Sequence, residues 1–191
     1  RNNGRQHSRA KVMRLGIVRI RSSPLAGATG VAPTAGSEES GVVTSALYDP
    51  GMPSLFTRII DGELPGRFVW RDERCVAFLT IAPMMPGHTL VVPIAEIDHW
   101  IDLEPDLTAH LFVVSQKIGQ AQREAFQPMR IGVLVAGMEV PHVHVHVVPI
   151  HRESELSFAH ADHHPDPAAL DQAADKLRAA LRATGHPEVS N

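Results

Sequence analysis

The sequence predicts an α+β fold: a five-stranded, mainly antiparallel sheet packed with one long helix and a C-terminal helix. Three observations carry this. Five short apolar runs are bounded by turn residues, one long stretch (Pro105–Phe126) repeats its apolar residues at helical spacing, and most of the connections are short.

Residues 1–51 stand apart from the rest. They are basic at first and then rich in Ala, Gly, Pro and Ser without a sustained period, so they cannot bury enough apolar surface to offset their ordering entropy. We expect a disordered or non-native extension here, with Met52 as the biological start. The Arg-rich opening also resembles a transit peptide, whereas Arg14, Arg19 and Arg21 interrupt the apolar stretch that a secretory signal would need. Native-protein peptides from residues 1–40 would overturn the Met52 start.

Residues 52–150 form the predicted domain. “SLFTRII” reads as a short helix ended by Gly62. “RFVWRDE” and “CVAFLTI” read as two strands, with “DER” as a tight hairpin between them. “HTLVVPI” is the third strand, introduced by a Pro86-Gly87 turn. Leu107, Leu111, Val114, Ile118 and Ala121 make the apolar stripe of the long helix, with Pro105 in its first turn. “RIGVLVAG” and “HVHVHVVPI” are the last two strands, the latter bounded by Pro141 and Pro149. Residues 151–191 add a polar loop and a helix over 168–182, with Leu170, Leu177 and Leu181 on one face. They are expected to pack on the domain.

Charge and composition narrow the function. Residues 1–51 carry seven Lys/Arg against three Asp/Glu, a net of +4, whereas residues 52–191 carry eleven against eighteen, a net of −7. An acidic globular part lacks the clustered positive charge of a nucleic-acid surface, so no nucleic-acid partner is expected. No apolar run approaches the ~20 residues that span a bilayer, and no membrane partner is expected either. The single cysteine, Cys75, excludes a disulfide framework and a CxxC zinc ribbon, reads as core, and suits a reducing cytoplasm.

“HVHVHVV” carries the chemistry. Residues two apart in a strand share a face about 6.6–6.8 Å apart. His142, His144 and His146 therefore share one face, and Val143, Val145 and Val147 share the face that packs on the long helix. Three readings of the histidines stand side by side. They are a solvated polar face, a metal site built on HxH spacing, or phosphorus chemistry in which an unprotonated imidazole attacks a phosphoryl centre and its neighbours donate to the phosphate oxygens. No HExxH and no downstream glutamate of the cupin type accompanies them.

Together with “PGHTLVVP” and “LFTRIIDGELPGRFVWRDERCVAFLTIAP”, the triad strand makes the chain resemble the histidine triad (HIT) family over roughly residues 53–150. The resemblance implies a homodimer, a purine nucleotide as small-molecule partner, and hydrolysis or transfer of nucleoside monophosphate groups without a cofactor. It implies His144 as nucleophile toward the α-phosphate, with its other ring nitrogen held by a backbone carbonyl. His142 and His146 would contact phosphate oxygens or support that network, and His88 matches the further histidine beside the triad. Leu55, Phe56 and Ile59 match the apolar wall for the purine, although simple core reads equally well for Leu55 and Ile59.

The departures are as informative. Members with a structural zinc carry two cysteines where this chain has Ser54 and Thr57, and a histidine where it has Glu96, so no metal is expected. Thr80 stands where many members grip the ribose with a carboxylate or amide. The loop before the triad, “VAGMEVPH”, lacks the family's Gly-Gln-Ser/Thr and has Glu139 at the Ser/Thr position, which by the resemblance serves phosphate and leaving group. A carboxylate there repels a phosphate unless it turns away, is protonated, or pairs with a cationic leaving group. His99, His110, His160, His163 and His164 read as surface or structural residues. The leading expectation is a cytoplasmic nucleotidyl hydrolase or transferase acting through His144. The alternatives are a nucleotide-binding module of this fold with little turnover and a metal-dependent enzyme.

Overall fold

The computed structural model describes residues 52–190. The expectations for residues 1–51 lie outside the described residues. The elements run α1 (Leu55–Ile60), β1 (Arg67–Arg71), β2 (Cys75–Leu79), β3 (Thr89–Pro93), α2 (Pro105–Phe126), β4 (Arg130–Leu134), β5 (Val145–Ile150) and α3 (Pro167–Ala183). The five strands form one antiparallel sheet in the order β1-β2-β3-β5-β4.

Local chemistry sets these boundaries. Ser54 caps α1 by accepting from the Thr57 amide. Asp72 closes the β1–β2 hairpin, its Oδ1 accepting the amides of Arg74 and Cys75 at 2.8 Å each. Pro105 starts α2, and Gln127 ends it in the left-handed region at φ 48°. Asp166 caps α3 ahead of Pro167.

Both long helices cover one face of the sheet. Leu111, Val114 and Ile118 of α2 and Leu177 and Leu181 of α3 meet Val69, Ala77, Val91, Val143, Val145 and Val147 in one core cluster. Each fully buried Leu or Ile contributes roughly 1.5–3 kcal/mol. The other face is covered over β2 and β3 by α1, whose Phe56 and Ile60 pack on Val76, Phe78, Leu90 and Val92. The histidines lie on this second face, with His146 opposite Leu90 on one side and Leu134 on the other.

The triad strand is shorter than its sequence pattern suggests. β5 begins at Val145, so His142 and His144 precede it. The reason lies in the partner strand: β3 ends at Pro93, which has no N–H to donate, and the Pro93 carbonyl is taken by His142 Nε2 at 2.9 Å. The Val143 amide goes instead to the Ile97 carbonyl at 2.7 Å. The C-terminal loop is also more ordered than a polar loop suggests, with short 3₁₀ turns at Glu153–Glu155 and Phe158–His160.

Candidate functional site around the histidine triad

His142, His144 and His146 are only 0, 7 and 6 % exposed, and His88 is 2 % exposed. A solvated polar face is therefore not what the alternation encodes. Burial pushes all four imidazoles below their usual pKa, to about 4 for His88 and about 3 for His146, where the neighbouring histidines add to the effect. All four rings are neutral at pH 7.

Neutral rings have one N–H each, and the surroundings decide where it sits. His144 Nδ1 lies 2.8 Å from the His142 carbonyl, which only accepts, so Nδ1 carries the hydrogen and Nε2 keeps a lone pair. His142 Nε2 faces the Pro93 carbonyl, so it carries the hydrogen and Nδ1 accepts from the Ser54 hydroxyl at 2.7 Å. The Met84 amide donates to His88 Nδ1 at 3.2 Å. His88 Nε2 is thus the donor to His146 Nδ1 at 3.0 Å, which leaves the His146 hydrogen on Nε2.

The three histidines are consequently not equivalent. His144 presents a bare nitrogen, His146 presents an N–H, and His142 has both ring nitrogens occupied. In this structure both His142 nitrogens are engaged within the protein, an arrangement that suits network support. Its ring abuts the site without opening onto it.

Phe56 packs edge-on to His144 with ring centroids 4.9 Å apart, so it buttresses the triad. Leu55 is 45 % exposed, which corrects its reading as simple core, and the half-buried Ile59 packs against the α1 cluster. Thr80 Oγ1 accepts from the Ala82 amide at 3.2 Å, which leaves its hydroxyl proton to give away. Glu139 is exposed, and its charge favours the protonated form of His144, against the burial that lowers it. A small cleft reaches His144 between Asp98, His99 and Trp100 on one side and residues 135–137 on the other.

Two features escaped the sequence. Phe158, in the loop after β5, sits edge-on to His146 at 5.1 Å, and nothing local marks it as a site residue. Ser54 reaches His142 across 88 positions of sequence. Its spacing from Thr57 gave a signal, but only as an absent metal ligand.

The donor set Ser54, Thr57, Glu96 and His142 does not fit zinc. Neutral hydroxyls are poor replacements for thiolates, and the His142 nitrogen that faces them already accepts a hydrogen bond. Elsewhere, Asp72, Cys75 and His110 bring ligand atoms within 4.8 Å of one another. There Asp72 accepts from Trp70, Arg74, Cys75 and His110, which against the pull of burial hold its carboxyl down to about 2. Burial pushes the Cys75 thiol well up. The group reads as a hairpin lock onto α2, and His110 is accordingly structural.

A buried imidazole with a free Nε2, flanked by an imidazole N–H donor on a five-stranded antiparallel sheet, defines a histidine-triad fold and site. The family model for the HIT domain matches residues 61–153. The Protein hit of Bacillus subtilis is 35 % identical over 100 residues, 50 % of this chain and 69 % of that one. A zinc-bound histidine triad family protein from Mycobacterium smegmatis superposes with a TM-score of 0.59 at 30 % identity, covering 68 % of this chain and 93 % of that one. A hypothetical histidine triad nucleotide-binding protein from Sulfolobus tokodaii gives 0.60 at 26 % identity, covering 67 % and 91 %. The chain belongs to the HIT family.

Proposed function

We propose that the protein is a hydrolase or transferase of purine nucleoside monophosphate groups, with His144 as its covalent nucleophile. The observation that supports this best is the His144 Nδ1 to His142 carbonyl contact of 2.8 Å, which forces the lone pair onto the outward nitrogen. In this reading Nε2 forms a bond to the α-phosphorus while the bond to the leaving group breaks, its electron pair departing with that group, which takes up a proton from solvent. The ring becomes a nucleotidyl-imidazolium, whose positive charge is shared onto the Nδ1–H that faces the carbonyl. His146 Nε2–H donates to a non-bridging phosphate oxygen as charge develops there. Water or another acceptor then attacks phosphorus and gives up its proton to solvent, the bond to Nε2 breaks, and neutral His144 is restored.

In the same proposal Leu55, Phe56 and Ile59 wall the purine, Thr80 bonds the ribose once, and Glu139 faces the leaving group. A carboxylate there favours amine leaving groups over polyphosphates. The working form is a cytoplasmic homodimer, and no metal takes part in the chemistry. A second reading, a binding module with negligible turnover, is favoured by the “VAGMEVP” loop, which offers Glu139 where an amide and hydroxyl would help.

Incubation with labelled adenosine phosphoramidate separates the two. We expect turnover and a nucleotidyl adduct by intact mass in the wild type. With His144→Ala we expect no adduct and a loss of about 10³-fold or more, as for other covalent nucleophiles. Binding without turnover in the wild type establishes the module instead. Glu139→Gln should lower the preference for the phosphoramidate over diadenosine polyphosphate, and unchanged rates on both would remove Glu139 from the leaving-group site.

A further inference from the structure

The residues that stand in place of a zinc site form a hydrogen-bonded chain that ends on the triad. Glu96 accepts from the Ser54 amide at 3.0 Å and from the Thr57 hydroxyl. Ser54 Oγ lies 3.1 Å from Thr57 Oγ1, 3.1 Å from the Thr57 amide and 2.7 Å from His142 Nδ1. His142 then holds Pro93 through its ring and His144 through its carbonyl.

Counting hydrogens fixes the direction. Thr57 has one hydroxyl proton and gives it to Glu96. Ser54 Oγ, already accepting from the Thr57 amide, has one proton of its own, and His142 Nδ1 is the acceptor nearest to it. Without an acceptor at position 96, the Thr57 hydroxyl is free to turn toward Ser54 Oγ or toward His142 Nδ1, 3.5 Å away. The first leaves Ser54 its own proton, but the second competes for His142 Nδ1 with the bond that orients the ring.

We infer that Glu96 is a positioning residue. By engaging the Thr57 hydroxyl and the Ser54 amide, it leaves Ser54 as the one donor to His142 Nδ1, which holds the ring in one orientation, and through the His142 carbonyl it holds the nucleophile. The network does by hydrogen bonding what a metal would do by coordination, tying the start of α1 to the segment that carries the triad. Its consequence for rate rests on the His144 reading, while its consequence for the ring of His142 does not.

The test is ¹⁵N NMR of the histidine side chains with steady-state kinetics on the full chain. Wild type should show His142 as a single Nε2–H tautomer that zinc addition leaves in place. Glu96→Ala should shift or broaden the His142 Nδ1 signal as two hydroxyls compete for it, and lower kcat about 10-fold with KM changed less than about twofold. Glu96→Gln, which keeps an acceptor, should stay within about threefold of wild type. Thr57→Val in the Glu96→Ala background removes the competing hydroxyl and should restore most of the loss, whereas a merely structural role predicts that the two losses add. Unchanged His142 signals in Glu96→Ala, additive losses, or stoichiometric zinc binding that shifts His142 would each overturn the inference. A protein without turnover still reports through the NMR signals, so failure of the catalytic reading and failure of this one remain distinct.

Discussion

His146 and His88 are histidines that the fold keeps from titrating near neutrality. Their folded pKa values, about 3 and about 4, lie below the ordinary value of 6.5 that the unfolded chain regains. Below pH 6.5 the unfolded state therefore binds protons that the folded state refuses, so stability is full above that value and falls as pH drops toward 4. Each histidine adds a slope of up to about 1.4 kcal/mol per pH unit. Asp72 and Glu96 are held low as well, but they lose their contribution only at more acid pH, below the ordinary carboxylate range. Urea unfolding between pH 7 and pH 5 isolates the histidines. We expect a clear decline in wild type and a shallower one in His146→Asn, and a flat wild-type profile would contradict the burial assignment.

At the scale of elements, the loop between β2 and β3 shows how backbone geometry serves the site. Gly87 has a φ of +87°, and a Cβ there would stand 2.3 Å from the Phe126 ring at the end of α2. Any side chain is both strained and overpacked, so Gly87→Ala should cost about 2–4 kcal/mol. Thermal melts check the magnitude, and combining it with Phe126→Ala should recover part of the loss because the two sites are in contact. This same loop was easy to read from sequence, since Pro86-Gly87 announces a turn. The strands and both long helices were equally legible, because alternation and the 3.6-residue stripe are local signals. The start of β5 was not. It depends on Pro93, a residue of another strand that lacks an N–H and whose carbonyl serves a histidine ring. The true contacts of Ser54 and Phe158 were hidden for the same reason, since both reach the triad across the fold rather than along the chain.

For the molecule as a whole, the helix-covered face and the histidine face are closed to different degrees. Among the described residues, Phe112, Val113 and Val133 expose about half of their surface (47, 51 and 43 %) beside Ile131, on a groove between α2 and β4. β4 is also an edge strand, so its outer backbone groups face away from the sheet. The proposed homodimer would be formed by joining two such surfaces about a two-fold axis, burying the apolar groove. Light scattering should give twice the chain mass for wild type and the single chain mass for Phe112→Glu. A monomeric wild type at working concentrations would remove this surface from the proposal. This groove is larger than the cleft beside His144.

The hydrogen that His146 presents is assigned from a distance. The Met84 amide occupies Nδ1 of His88, and His88 in turn occupies Nδ1 of His146. Met84, four residues before His88 in the same β2–β3 loop, thus sets which nitrogen of His146 carries the hydrogen. Lengthening that loop by one residue would leave every letter of “HVHVHVV” intact, yet free His146 to turn its lone pair outward. Two chains with identical triads need not offer a substrate the same proton.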